Sequence, residues 1–149
     1  MTEIEVRTHI AASPEVCFDL ARNISFHAQS LKHTGERVVE APARPLLELA
    51  DEVEFEGRHF GVRQRFRARI TAFDRPHWFR DEMVRGAFQA FTHDHVFETT
   101  EAGTLMRDRI QFAAPLGLLG RLVEKAVLRR YLFRLIEGRA AEIRRAAEG

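Results

Sequence analysis

Apolar and polar side chains alternate through most of this chain, and a helical period replaces the alternation near the end. Ile4, Val6, Thr8 and Ile10 share one face of a stretch whose other face carries Glu3, Glu5, Arg7 and His9, the pattern of a half-buried strand. Ser13-Pro14-Glu15 then reads as N-cap, first helical residue and acidic first turn. The pattern predicts a short helix over 14–22, a second over 25–31, and a short strand over 36–41 ended by Pro42 and Pro45. Alternation resumes at Leu47 and continues through Leu49, Val53 and Phe55.

Gly57-Arg58 suits a two-residue hairpin turn, which would set Phe55 opposite Phe60 and Val53 opposite Val62. The following strand turns Phe60, Val62, Gln64, Phe66, Ala68 and Ile70 inward and Arg63, Arg65, Arg67 and Arg69 outward. Acidic residues on neighbouring strands are the expected partners of those arginines. No exposed aromatics are interleaved with them, as a nucleic-acid stacking platform requires. His59 is expected to face outward beside the turn, and Trp78, Arg107 and Arg109 fall on the outward register.

The last hairpin is the most informative. Phe91, His93, His95 and Phe97 point to one side of their strand, and Met106, Asp108, Ile110 and Phe112 answer from the next. A turn at Glu101-Ala102-Gly103 places His95 opposite Asp108, His93 opposite Ile110 and Phe97 opposite Met106. Phe79, Asp81 and Met83 form the inner face of the strand before. After Pro115, apolar residues recur at three and four, from Leu119 to Ile143, and predict one amphipathic helix over 116–147. Its other face is read as solvated, with Arg121, Lys125, Arg129, Arg134, Arg139, Arg144 and Arg145 among Glu124, Glu137, Glu142 and Glu148. Gly138 is expected to bend or weaken it. Strand, two short helices, antiparallel strands and one long final helix make an α+β architecture in which the helix covers the concave face of the sheet.

A length of 149 residues suits one domain spanning 1–149. The net charge of +1 gives no electrostatic case for nucleic acid. A lone cysteine, Cys17, excludes an internal disulfide or a cysteine metal cage, reads as a small buried hydrophobe, and fits a reducing cytoplasm. No signal-peptide pattern opens the chain and no apolar run approaches the ~18 residues of a membrane span. Phosphate-loop and nucleophile-elbow motifs are absent.

Seven local motifs carry a resemblance that runs over nearly the whole chain. They are Asp51-Glu52-Val53, His59-Phe60-Gly61, Phe79-x-Asp81, Gly86-x-Phe88, Phe91-x-His93-x-His95-x-Phe97, Asp108-x-Ile110-x-Phe112 and Pro115-Leu116-Gly117. With the element order, they resemble the START-like, or polyketide cyclase/dehydrase-like (SRPBCC), superfamily. In that pattern a glycine is usual where Ala50 stands, a proline where Ala87 stands, and often a tyrosine where Phe112 stands. The resemblance implies a helix-grip fold: a curved antiparallel sheet wrapped around a long C-terminal helix, with two short helices after the first strand. It also implies a deep, mostly apolar cavity between sheet and helix for a lipid, polyketide, quinone or similar hydrophobic or amphipathic molecule. No cofactor or metal is general to the family. Some members catalyse cyclisation or dehydration, and many only bind.

The expected lining is then Phe60, Phe66, Phe91, Phe97, Met106, Ile110 and Phe112 from the sheet and Phe133 from the helix. Asp81, His93, His95 and Asp108 would stand among them. Four such groups in a dry core cost several kcal/mol unless they pair. They read as a satisfied hydrogen-bond network, as groups that orient a ligand, or as a His95–Asp108 general acid/base pair. The spacing of His93 and His95 also admits zinc, although alternating histidines recur without metal. Binding of an apolar or amphipathic small molecule is the first functional expectation. A cyclase- or dehydratase-type enzyme is the alternative, and a ligand-presenting partner of another protein a third. Oligomeric state is not legible.

Overall fold

The computed structural model describes residues 1–149. Seven strands form one antiparallel sheet in the order β1-β7-β6-β5-β4-β3-β2: β1 Thr2–Ile10, β2 Arg37–Glu40, β3 Glu52–His59, β4 Val62–Asp74, β5 Trp78–Arg85, β6 Ala90–Thr100 and β7 Gly103–Ala113. Helices α1 (Pro14–Ala21) and α2 (Ile24–Ser30) follow β1. The chain ends in a helical run made of α3 (Gly117–Val123), a π-helical segment (Glu124–Leu128) and α4 (Arg129–Glu148). This is the helix-grip architecture.

Local chemistry explains the short helices. The Ser13 hydroxyl accepts from the Val16 N–H with Pro14 in the first turn, and the Asn23 side-chain oxygen accepts from the Phe26 N–H at 2.9 Å. The long strands are two-faced. Outside, Glu52, Glu54 and Glu56 lie under a lattice of guanidinium groups: Arg67 and Arg69 on Glu52, Arg85 on Glu54, and Arg37, Arg63 and Arg65 on Glu56. Inside, α4 buries Leu132, Ile136, Ala140 and Ile143 against the sheet.

The concave side divides in two. At one end the core is solid. The Phe18 ring meets Phe73, Phe79 and Phe97 at centroid distances of 5.3, 5.1 and 5.3 Å. Met106, Ile110 and Phe112 are fully enclosed in the same cluster. At the other end the sheet and helix stand apart.

Four expectations change here. The β3–β4 turn is Phe60-Gly61, not Gly57-Arg58, so Phe55 pairs with Phe66 and Val53 with Ala68. Gly57 lies buried within β3, where a Cβ would collide with the Glu36 carboxylate, so its glycine serves close packing and not a turn. The strand starting at Leu47 begins only at Glu52, after Ala50 adopts φ 70, the left-handed conformation at the position where the family pattern has glycine. Gly138 sits in regular helix, and the departure from α geometry falls instead at Glu124–Leu128. There Glu124, expected in solvent, is buried, accepting from the Ala114 N–H at 2.6 Å and the Thr2 hydroxyl at 2.8 Å.

Candidate functional site

Between the sheet and α4 lies a cavity of about 330 Å³. Its apolar wall comes from β3 and β4 (Val53, Phe55, Phe66, Ala68), from Phe88 and Phe91, and from Leu132, Leu135 and Ile136 of α4. The inward register of each strand places these side chains, because residues two apart share a face. The small Ala68 leaves room that a larger residue would fill.

Asp81, His93, His95 and Arg139 gather at one end of the cavity. The β6–β7 register is the expected one: His95 opposes Asp108 and His93 opposes Ile110. The hydrogen bonds cross that register. His95 Nε2 lies 2.7 Å from Asp81 Oδ2, and His93 Nε2 lies 2.8 Å from Asp108 Oδ1. His95 Nδ1 is 3.5 Å from Asp108 Oδ1. The two imidazoles stack at 3.6 Å, and Phe79 stacks on the far side of His95 at 4.1 Å. The expected His95–Asp108 pair is thus replaced by two pairs, His95–Asp81 and His93–Asp108.

Burial pushes the Asp81 carboxyl up, with His93, Arg139 and His27 only partly opposing it. Burial, reinforced by His93, drives His95 well below its ordinary value, so this ring is neutral at neutral pH. Burial also raises Asp108, but the hydrogen bond from His93 and the nearby positive charges outweigh it and hold that carboxyl low. One proton arrangement satisfies these directions together. Asp81 is the aspartate that takes up a proton first and, once protonated, donates to His95 Nε2, while ionised Asp108 accepts from His93 Nε2–H and faces His95 Nδ1.

Arg139, expected on the solvated helix face, is 3% exposed and turned inward. Its Nη2 donates to the Ala21 carbonyl at 2.8 Å, while its buried Nε has no partner. Burial lowers the guanidinium's pKa against the pull of Asp108 and Asp81. The sequence carries the signal: Arg139 is three residues after Ile136 and four before Ile143, on the apolar stripe.

His59, expected outward, lines the cavity and hydrogen-bonds through Nδ1 to the Tyr131 hydroxyl. With Phe55 inward, the period of two carries Gly57 and His59 inward as well. His27, which the pattern did not single out, stacks on Phe55 at 4.1 Å and lies 3.9 Å from Glu36.

The remaining expected residues divide. Phe60, Phe66, Asp81, Phe91, His93 and His95 line the cavity. Phe97, Met106, Ile110 and Phe112 face inward but fill the solid end, Asp108 sits behind the histidines, and Phe133 points away from the cavity with substantial exposure. Asp81, His93 and His95 present ligand atoms within 4.8 Å of one another, a spacing a metal ion could use. Both Nε2 atoms are already bonded to carboxyls, however, and stacked rings send their in-plane lone pairs along parallel planes rather than to one point. The set fits a proton network better than a metal cage.

The model of the polyketide cyclase / dehydrase and lipid transport family matches residues 1–148. No curated protein matches the chain. Among solved structures, TTHA0849 from Thermus thermophilus is similar, with a TM-score of 0.71 at 21% identity over 98% of this chain and 99% of that one. Major latex-like protein 151 from Panax ginseng has a TM-score of 0.74 at 12% identity, over 99% and 98%. The di-domain ARO/CYC protein StfQ from the steffimycin biosynthetic pathway has 0.79 at 15% identity, over 98% of this chain and 50% of that one. No helix is long and apolar enough to cross a membrane. Sheet order, helical grip and a match across 148 residues agree: the chain belongs to the polyketide cyclase / dehydrase and lipid transport family of the START-like superfamily.

Proposed function

We propose that this protein binds one amphipathic small molecule in the cavity between sheet and α4. The carrying observation is a mostly apolar hollow with Asp81 and the buried His93, His95 and Arg139 set into its lining. Its volume is at the small end of the range for small-molecule sites, about 300–1,000 Å³. The ligand's apolar body packs on Phe66, Phe91 and Leu132, and its oxygen-bearing end meets Asp81, His93, His95 and Arg139. Incubation with a lipid extract, followed by native mass spectrometry, should reveal one adduct of stoichiometry one. Protein that emerges free of any adduct argues against the proposal.

A second reading rests on the hydrogen bond between Asp81 and His95 and the opposite directions in which burial moves them. A carboxyl whose pKa is raised by burial, relayed through a neutral imidazole, suits proton transfer in an enolisation or dehydration of a polyketide-like substrate. Asp81 is the acid of this pair and His95 its relay. Substitution His95→Ala should abolish turnover of a compound the protein converts. Turnover near the native rate removes the catalytic role and leaves binding intact.

A further inference from the structure

The helical turns after Pro115 are mounted with the wrong face inward. Between Gly117 and Val127 only Gly120 and Glu124 are buried. Leu118, Leu119 and Leu122 are 78%, 60% and 68% exposed, and Leu116, Val123 and Val127 are exposed beside them. A surface helix ordinarily does the reverse. Two contacts fix this orientation. A Cβ at Gly120 would collide with the Pro115 carbonyl, so glycine alone lets the helix sit so close. Glu124 is tied to the Ala114 N–H and the Thr2 hydroxyl. Rolling the leucines inward would break both.

We propose that this face docks on an anionic lipid bilayer. Arg121, Lys125, Arg129 and Arg130 surround the leucines and are all exposed, while the one acid of the segment, Glu124, is turned inward. The patch is therefore apolar in the middle and positive at its edge, on a chain whose net charge is only +1. That combination matches an interfacial helix at an anionic membrane, where acyl chains receive the leucines and headgroups the cations. A second copy of this chain fits poorly. A twofold contact would bring the same four cations together with no exposed acid in the patch to pair with them. Pro115 and Leu128, which bracket the segment, both line the cavity, as do exposed Phe60 and Ala87. Docking would set the open end of the cavity against the bilayer. The inference stands whatever the cavity binds.

Vesicle flotation tests it, with phosphatidylcholine alone and with phosphatidylcholine containing phosphatidylglycerol. The protein should float only with the anionic vesicles, and less as salt rises. Arg121→Glu and Lys125→Glu should each lower partitioning by about fivefold or more, since a basic residue near such a surface contributes about that factor. Leu118→Asp combined with Leu122→Asp should abolish flotation while leaving the melting temperature unchanged. Three results overturn the proposal: no flotation with anionic vesicles, flotation insensitive to the leucine pair, or a stable dimer in solution that the leucine pair dissociates.

Discussion

His95 makes its short hydrogen bond to Asp81 on the preceding strand, at 2.7 Å, although Asp108 stands directly opposite it on the following one. The imidazole is held between two carboxyls of unlike character, one raised by burial and one held low by its hydrogen bond from His93. That asymmetry sets the direction in which a proton is shared, and it separates the roles of the two aspartates.

Both histidines approach Oδ1 of Asp108 and its buried Oδ2 has no partner, so an amide would lose the charge and bury an unpartnered NH₂ there. Asp108→Asn should therefore cost several kcal/mol, toward the ~3–5 kcal/mol of breaking a buried charge pair. Asp81→Asn should cost under about 1 kcal/mol, because its NH₂ can donate to Nε2 of the neutral His95 ring. Urea midpoints at constant m-value measure the difference. Equal losses at the two sites would contradict the proton arrangement.

Stability should fall as pH drops below about 6.5, the ordinary histidine value. His95 is depressed in the folded state, so the unfolded chain takes up a proton that the folded chain refuses. The slope from this residue is about 1.4 kcal/mol per pH unit until the folded ring itself titrates. Asp81 works the other way in more acid solution: the folded state protonates first and gains stability as pH falls from its raised pKa toward the ordinary aspartate value. His95→Gln should flatten the curve between about pH 6.5 and about pH 5. An unchanged slope in that variant would mean the ring is charged in the native protein.

Phe60 occupies the first position of the β3–β4 turn with φ 54, ahead of Gly61 at φ 73, where Asn-Gly is the favoured pair. Its ring lies 4.5 Å from Tyr131. In Phe60→Asn, relief of about 1–2 kcal/mol of left-handed strain should roughly offset the aromatic contact, worth about 0.5–1.5 kcal/mol. The melting temperature should move little. Ligand affinity should drop, since Phe60 lines the open end of the cavity. Retained affinity would show that the aromatic serves the turn alone.

Ala68 is a small residue on the β4 side of the cavity wall. Ala68→Phe projects into empty space, so it should avoid the about 1–3 kcal/mol of overpacking a filled core. It should weaken a cavity ligand by about tenfold or more, the loss expected when a ring takes up part of a small-molecule pocket. Calorimetric titration against circular dichroism melting separates the two effects.

Much of the fold is legible in the sequence because strand faces are. The turn between β6 and β7 has alternation on both sides, so its register and the meeting of two histidines with Asp108 follow from the sequence. The β3–β4 turn is misplaced by the same reasoning. Moving the partner of Phe55 from Phe60 to Phe66, an even step, keeps Phe55, Gln64, Phe66, Ala68 and Ile70 on their faces, and only His59, which passes from one strand to the other, changes side. Alternation also gives a face but not a position along the strand. Phe97, Met106, Ile110 and Phe112 therefore look like cavity wall, yet they fill the solid end. Arg139 escapes notice because its charge suggests solvent, while its spacing puts it on the buried stripe.

The guanidinium–carboxylate lattice on the convex side has a consequence for how such proteins diversify. Strands β2 to β5 are fastened there by ion pairs on the outer face of the sheet. Inner positions such as Gln64, Phe66 and Ala68 can mutate while the outer arginines between them keep the strands aligned. A scaffold whose fastening and whose specificity lie on opposite sides of one sheet can exchange ligands over evolutionary time without first losing its shape.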